Sequence, residues 1–273
     1  MTEATASSKS ETRANLGERL AYYGPTVVVF VGVLVAWEIA VRVFNIQQFI
    51  LPAPSVILSA FITNFSQLVD IGQYTATEAV GGFMLGCGAG IVIALATARW
   101  TVVRESLMPF AIAANSVPVI AFAPIMNNWF GVTNQLSKMM IVAIITFFPM
   151  MINMVRGLTL VDPSALELMR SYATDDLAIL FKVRLPNSLP YIFNALKVCS
   201  TLSLIGAVVG EFFGGPRGAL GVYITQEATL FRFYNAWAAI IIAAALGIAF
   251  YIVILFLERL MIPWHASVRG EQE

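Results

Sequence analysis

The sequence predicts an all-α membrane protein with about six transmembrane helices, and three observations predict it. Of 273 residues, 59% are hydrophobic and only 12% charged, whereas soluble domains carry about a quarter charged residues. The mean hydropathy is +0.80, more apolar surface than a water-soluble fold can hide. Six charge-poor windows approach the ~20 residues needed to cross ~30 Å of hydrocarbon. No strand-rich region and no second soluble domain are legible.

The first window covers about residues 25–44, interrupted only by Glu38 and Arg42, which lie four apart and can pair on one helical face. The second, about 74–98, is clean after Glu78. The third, about 107–131, and the fourth, about 139–155, hold no charge, but Pro118, Pro124 and Pro149 must kink or end helices there. The fifth is short, with Lys197 and Glu211 bracketing an apolar core of 198–210, so it needs other helices around it. The sixth, about 236–257, is clean again.

Orientation follows from the basic residues, which favour the cytoplasmic side of short loops. Twelve of the 16 fall inside if the N-terminus is cytoplasmic: Lys9, Arg13, Arg19, Arg99, Arg104, Arg156, Arg170, Lys182, Arg184, Lys197, Arg259 and Arg269. Arg42, Lys138, Arg217 and Arg232 are left outside. The expected organisation is a cytoplasmic N-terminal tail and interfacial helix at 1–24, one transmembrane domain at 25–260 with a cytoplasmic loop at 156–190, and a cytoplasmic tail at 261–273. The interfacial helix would span 11–23, with Leu16, Leu20 and Tyr23 on one side, after a disordered start. The first 20 residues lack an apolar core of the signal-peptide kind, so the first span is expected to stay.

Two external connections look structured. Residues 45–73 contain Leu51-Pro-Ala-Pro-Ser55, then Ile57, Leu58, Phe61, Ile62 and Phe65 at helical spacing, which suits an interfacial helix. Residues 214–235 contain two leading glycines, Pro216 and a short amphipathic run.

Several function classes are excluded. The 16 basic and 16 acidic residues cancel, so no basic field points to nucleic acid. Cys87 and Cys199 fit no disulfide, zinc or redox spacing and read as small core residues. One histidine, His265, with no ligating neighbours leaves no metal site, and no catalytic constellation or cofactor is expected. No phosphate-loop motif is present, so the chain does not itself bind ATP in the usual way.

The loop after the fourth window carries the mechanism. Ser164 with Glu167 three residues on makes a capping box that places a helix start near Ser164. Thr174 can cap a second helix, with Asp175 and Asp176 in its first turn and Pro186 as its stop. The first helix exposes Leu166, Met169 and Tyr172 with Glu167 and Arg170, a mixed surface suited to docking another protein.

This loop resembles the cytoplasmic coupling loop, the EAA loop, of bacterial binding-protein-dependent importers. Glu167-Leu168-Met169, Ala173 and Leu185-Pro186 occupy the places of the Glu-Ala-Ala, glycine and Leu-Pro elements. Leu168, Met169 and Ala173 depart from the pattern, and Ala173 in the glycine's place puts a sharp left-handed turn in question. The likeness extends over about residues 50–265 to the nitrate, sulfonate and taurine permease family, through Leu51-Pro-Ala-Pro-Ser55, the Pro118 and Pro124 segment, 206–221 and 258–265. Glu167-Leu-Met-Arg-Ser, Lys182-Val-Arg-Leu-Pro-Asn and Ile205-Gly-Ala-Val-Val-Gly-Glu-Phe are most similar to the branch moving thiamine-precursor pyrimidines or riboflavin.

The resemblance implies a type I ATP-binding-cassette importer permease in a bacterial inner membrane, a non-catalytic subunit. Sulfonate, taurine and nitrate are the next substrates after pyrimidines and riboflavin. Implied partners are cytoplasmic ATPase subunits, a periplasmic or lipid-tethered substrate-binding protein, membrane lipid, and a second permease subunit, a second copy of this chain ahead of a similar one. Ser164, Glu167, Met169, Arg170, Tyr172 and Ala173 would then contact the ATPase. The alternative is a stand-alone secondary transporter, which should show midplane coupling carboxylates and an internal repeat; neither is clear.

Polar residues at membrane depth are pathway candidates, because burial costs them several kcal/mol unless they are paired. Glu78, Asn115, Ser116, Asn153 and Glu211 qualify, each with a satisfied interhelical hydrogen bond as the competing reading. Met126, Trp129 and Phe130 are gate or interface-anchor candidates. Two glycine ladders, Gly82, Gly86, Gly90 and Gly206, Gly210, Gly214, put small residues on one helix face each; packing within the chain is favoured over a dimer seam.

Overall fold

The structure is a computed structural model describing residues 24–263. The interfacial helix expected at 11–23, His265 and the end of the tail lie outside the described residues. The described residues form eleven helices: α1 (Gly24–Val43), α2 (Pro54–Thr63), α3 (Phe65–Arg99), α4 (Thr101–Ala114), α5 (Ala123–Phe130), α6 (Gln135–Thr159), α7 (Pro163–Ser171), α8 (Asp176–Ile179), α9 (Leu185–Phe212), α10 (Leu220–Thr229) and α11 (Phe233–Met261). α1, α3, α6, the run Asp176–Phe212 and α11 are each long and apolar enough to cross a membrane, and the bent pair around 115–118 makes a sixth span if counted as one.

α6 is the centre, lying between α3 and α9, and glycines set how closely it is approached. Gly82, Gly86 and Gly90 of α3 face Met139 and Val142, Ala143 and Thr146, and Phe147 and Met150 in turn. From the other side Gly206 meets Val142 and Ile145, and Gly210 meets Ile141. Gly214 lies past the end of α9 at φ +126° and meets Val132 instead; the other members of both ladders serve packing within the chain. A Cβ on Gly86 would sit 2.3 Å from the Ala143 carbonyl oxygen, backbone that cannot rotate away, whereas Gly88 faces open space. Gly86→Ala is expected to cost about 1–3 kcal/mol by overpacking, and Gly88→Ala to stabilise by about 0.5–1 kcal/mol. Thermal unfolding of the purified variants checks both; equal melting temperatures would contradict the packing argument.

Several expected boundaries move. α3 begins at Phe65, not near residue 74, because Asn64 breaks the chain only briefly after α2. Its added turns have a purpose: Leu68 and Ile71 are buried against Leu220, Tyr223, Ala238, Ala239 and Ile242. The third window is not a straight span, since its halves Glu105–Ala114 and Val119–Phe130 meet at 84°. Pro118 precedes the short 3₁₀ turn Val119–Phe122, and Pro124 sits in the first turn of α5, where its missing N–H costs nothing. Pro109 and Pro149 stay inside α4 and α6.

The fifth span is longer than its apolar core, because Lys197 lies inside α9 and pairs with Glu258 of α11 at 3.0 Å and 3.1 Å to the two carboxylate oxygens. Pairing lets both charges sit at membrane depth. The peripheral α1 is tied down at two places, by Trp37 and by Glu38. Trp37 packs edge-on to Trp237, with ring centroids 5.3 Å apart. The expected Glu38–Arg42 pair forms at 2.6 Å. The same carboxylate accepts from the Ser55 amide at 3.0 Å and hydroxyl at 2.8 Å, so Glu38 satisfies a free amide at the start of α2 in the Leu-Pro-Ala-Pro-Ser segment.

Candidate functional site

Three places concentrate polar chemistry, and the first is the loop between α6 and α9. Asn187 closes its base by donating to the carbonyls of Gly157 at 2.8 Å and Leu160 at 3.0 Å, so the last turn of α6 is capped by α9. Within the loop the cap of α7 is Asp162, not Ser164: its carboxylate accepts from the Ser164 amide at 2.8 Å, and Pro163 takes the first helical position. The second helix is likewise capped by Asp175, not Thr174. Thr174 instead donates its hydroxyl to the Met169 carbonyl at 2.5 Å. Pro186 stops nothing. The π-helical turn Leu180–Arg184 absorbs its missing amide, and the chain runs helically from Asp176 to Phe212.

The left-handed turn survives the loss of glycine. Ala173 has φ +50°, its amide donates to Arg170 O, and the Thr174 amide donates to Met169 O, the paired bonds of a Schellman cap. An alanine holds that conformation at a cost of about 1–2 kcal/mol, which the two backbone bonds and the Thr174 hydroxyl bond oppose. The outward apolar face also differs from expectation. Leu168 and Tyr172, four apart on α7, and Leu177 and Phe181, four apart beyond it, are exposed, while Leu166 and Met169 are half-buried. Ser164, Glu167 and Arg170 are exposed beside them. Leu168 and Phe181 on the exposed face, and Asp162 and Asn187 in the loop's caps, were not among the residues expected there; the i, i+4 apolar spacing on an otherwise polar loop was the signal for the first two.

The second place is a buried polar knot at the opposite end of the bundle. Lys138, fully buried, donates to Asn127 Oδ1 at 3.0 Å and to the Val132 carbonyl. Asn127 in turn donates to the Phe213 carbonyl at 3.1 Å. Glu211 accepts from the Thr75 hydroxyl at 2.7 Å and from the Gly221 amide at 2.5 Å, and Thr75 accepts from the Leu220 amide at 3.0 Å. The free amides at the start of α10 are thus satisfied by side chains of two other helices. Glu78 is 0% exposed and neither of its oxygens has a hydrogen-bond partner; Glu211 and Lys138 are the charged groups that act on it. Five helices, α3, α5, α6, α9 and α10, meet at these contacts. Gly221 and Gly215 permit them: a Cβ on Gly221 would fall 2.7 Å from the Glu211 side chain.

The third place is a cavity of about 640 Å³ between α4, the 3₁₀ turn, α6 and α9. Asn115, Asn153 and Arg156 line it with Phe148, Pro149 and Val198. Asn153 donates to the Pro149 carbonyl at 2.8 Å. The pathway candidates therefore divide. Asn115 and Asn153 come together in the cavity, and Ser116 folds back towards the Ile112 carbonyl at 3.5 Å. Glu78 and Glu211 sit in the knot, 15 residues up α6 from Asn153 when counted to Lys138, or ~22 Å. Of the gate candidates, Met126 is buried against Ala123 and Ile141, and Trp129 is exposed.

With this geometry in place, comparison with known proteins is direct. Residues 82–264 match the family described as binding-protein-dependent transport system inner membrane component. The formylaminopyrimidine transport permease protein ThiX of Halalkalibacterium halodurans is 31% identical over 86% of this chain and 93% of its own. The riboflavin transport system permease protein RibX of Chloroflexus aurantiacus is 31% identical over 86% of this chain and 87% of its own. The putative aliphatic sulfonates transport permease protein SsuC of Bacillus subtilis is 28% identical over 98% of this chain and 96% of its own. The chain belongs to the binding-protein-dependent transport inner membrane component family, as the non-catalytic, multi-pass permease subunit of an ATP-binding-cassette importer that moves a small solute.

Proposed function

We propose that the loop of 156–190 is the ATPase-docking element, that both termini are cytoplasmic, and that the cavity at Asn115 and Asn153 belongs to the translocation pathway. In this reading 25–260 is one permease domain, flanked by cytoplasmic segments at 1–24 and 261–273. Two such subunits pair, preferably two copies of this chain. A periplasmic or lipid-tethered binding protein delivers solute to the end carrying α2, α10 and the polar knot. Pyrimidine thiamine precursors and riboflavin are the favoured solutes, after the relatives named above, with sulfonates next.

The observation that carries the reading is the loop's outward face. Leu168 and Tyr172 expose apolar and aromatic surface outside the membrane-length helices, and Leu177 and Phe181 continue it at the start of the run Asp176–Phe212; such surface on a polar loop is that of a protein contact. Ser164, Glu167 and Arg170 supply a polar rim, and the cap at Ala173 holds α7 at a fixed angle to the helix that follows. On ATP-driven closure of the ATPase pair, a rigid loop anchored to α6 and α9 through Asn187 moves those two helices together.

Affinity purification of the tagged chain in mild detergent tests this. A nucleotide-binding subunit should co-purify, and Leu168→Asp with Phe181→Asp should release it while the permease stays folded. Recovery of the ATPase undiminished by that pair would remove the loop from the contact.

A further inference from the structure

The cavity's lining is chemically one-sided. Its polar side chains are two carboxamides, Asn115 and Asn153, and one guanidinium, Arg156, and no acidic side chain lines it. Neither the Arg156 guanidinium nor the Asn115 carboxamide has a side-chain hydrogen-bond or ion partner among the described residues, and both residues are exposed. Asn153 spends one N–H on the Pro149 carbonyl and keeps its other N–H and its oxygen. Each amide carries two N–H donors and the guanidinium carries five, with no acceptor on arginine, so donors outnumber acceptors. The remaining wall is Ile, Val, Leu, Pro149 and Phe148, which suits a flat apolar ring face. A volume of about 640 Å³ lies in the ordinary range of small-molecule sites, roughly 300–1,000 Å³.

We propose that this cavity is a solute-binding site selective for a small, largely apolar or aromatic molecule whose polar edge consists of acceptors, and that it excludes cations. The proposal rests on the cavity being part of the pathway. The acceptors can be ring carbonyls and ring nitrogens, or a single oxyanion, and Arg156 separates the two. A neutral ring needs only donors and keeps binding when Arg156 becomes glutamine. An oxyanion needs the charge and the planar two-point geometry that only arginine supplies. With no carboxylate in the lining and the Arg156 guanidinium present, the site is poor for a cation in either case, because like charges repel and nothing compensates a second positive charge.

Cysteine protection reads this without relying on the selectivity of a binding protein. Val119→Cys puts a thiol in the cavity wall, and the native Cys87 and Cys199 are buried, with the unsubstituted chain as labelling control. In the purified permease–ATPase complex, riboflavin, a formylaminopyrimidine or an alkanesulfonate at up to about 10 mM should slow maleimide labelling at position 119, and choline should not. Asn115→Leu with Asn153→Leu should weaken protection at least tenfold, about 1.4 kcal/mol. Arg156→Gln should abolish protection by the sulfonate while sparing that by the ring compounds. Protection by choline, protection by none of the three probes, or full protection in the double leucine variant would overturn the proposal. The docking reading stands or falls separately, on whether the ATPase co-purifies.

Discussion

Lys138→Met is expected to destabilise the permease by about 3–5 kcal/mol, the cost of breaking a buried charge arrangement by removing one partner. Methionine nearly matches the lysine in volume, so packing is not the cause. The loss falls on what the ammonium group holds. Asn127 Oδ1 and the Val132 carbonyl lose their donor, and Glu78 and Glu211 lose the one cation that acts on them both. Asn127 also donates to the Phe213 carbonyl, so α5 should loosen from the end of α9, and with it the segment leading to α10. Fluorescence-detected gel filtration after heating measures the effect. Adding Glu78→Gln should recover part of it, because that carboxyl group has no hydrogen-bond partner to lose. A Lys138→Met protein that melts with the parent would mean the knot is not a structural joint.

This knot also shows where the sequence stopped being readable. Lys138 looked like an outside-loop charge because it stands at the edge of an apolar window, and position along the chain cannot tell a helix's first turn in water from one folded under its neighbours. Burial came from α5, whose Asn127 stands 11 positions earlier, and from the segment after α9 around Gly215, far along the chain, closing over it. The long spans were legible because crossing hydrocarbon imposes length and apolarity directly on the sequence. The 84° bend was half legible: Pro118 marked the break but not its angle. Glycine ladders were legible as close-packing faces, although only the fold could name α6 as the shared neighbour. In the loop, the first helix was correct and the second proved to be the start of the run Asp176–Phe212, while the caps slipped by one or two residues. Asp162 and Ser164 are both good cap residues, and the choice is made by Pro163, which belongs at the first helical position. The left-handed turn at Ala173 is legible only through the loop's likeness to a glycine-containing pattern; alanine by itself argues against it.

Arg170→Glu combined with Tyr172→Ala is expected to uncouple ATP hydrolysis from uptake. Both side chains are exposed, Tyr172 at 74%, and neither takes part in the Asp162 cap or the side-chain bond of Thr174, so the loop should fold and the chain insert as before. Their effect must then arise at the docking face. Tyrosine and arginine are the residue types on which protein contacts concentrate their energy, with about 2 kcal/mol or more lost on truncation at a central position, and the introduced glutamate adds a repulsive or unpaired charge if the facing surface is acidic or apolar. A loss of that size predicts at least a tenfold fall in uptake. The ATPase subunits, which carry the hydrolytic chemistry themselves, should keep a basal rate that no longer rises with loaded binding protein. The measurement is paired: ATP turnover and solute uptake in the same proteoliposomes, with permease content fixed by immunoblot. Falling uptake with persisting hydrolysis locates coupling at α7. Uptake at the parental rate would remove Arg170 and Tyr172 from the contact and overturn the docking role given to α7.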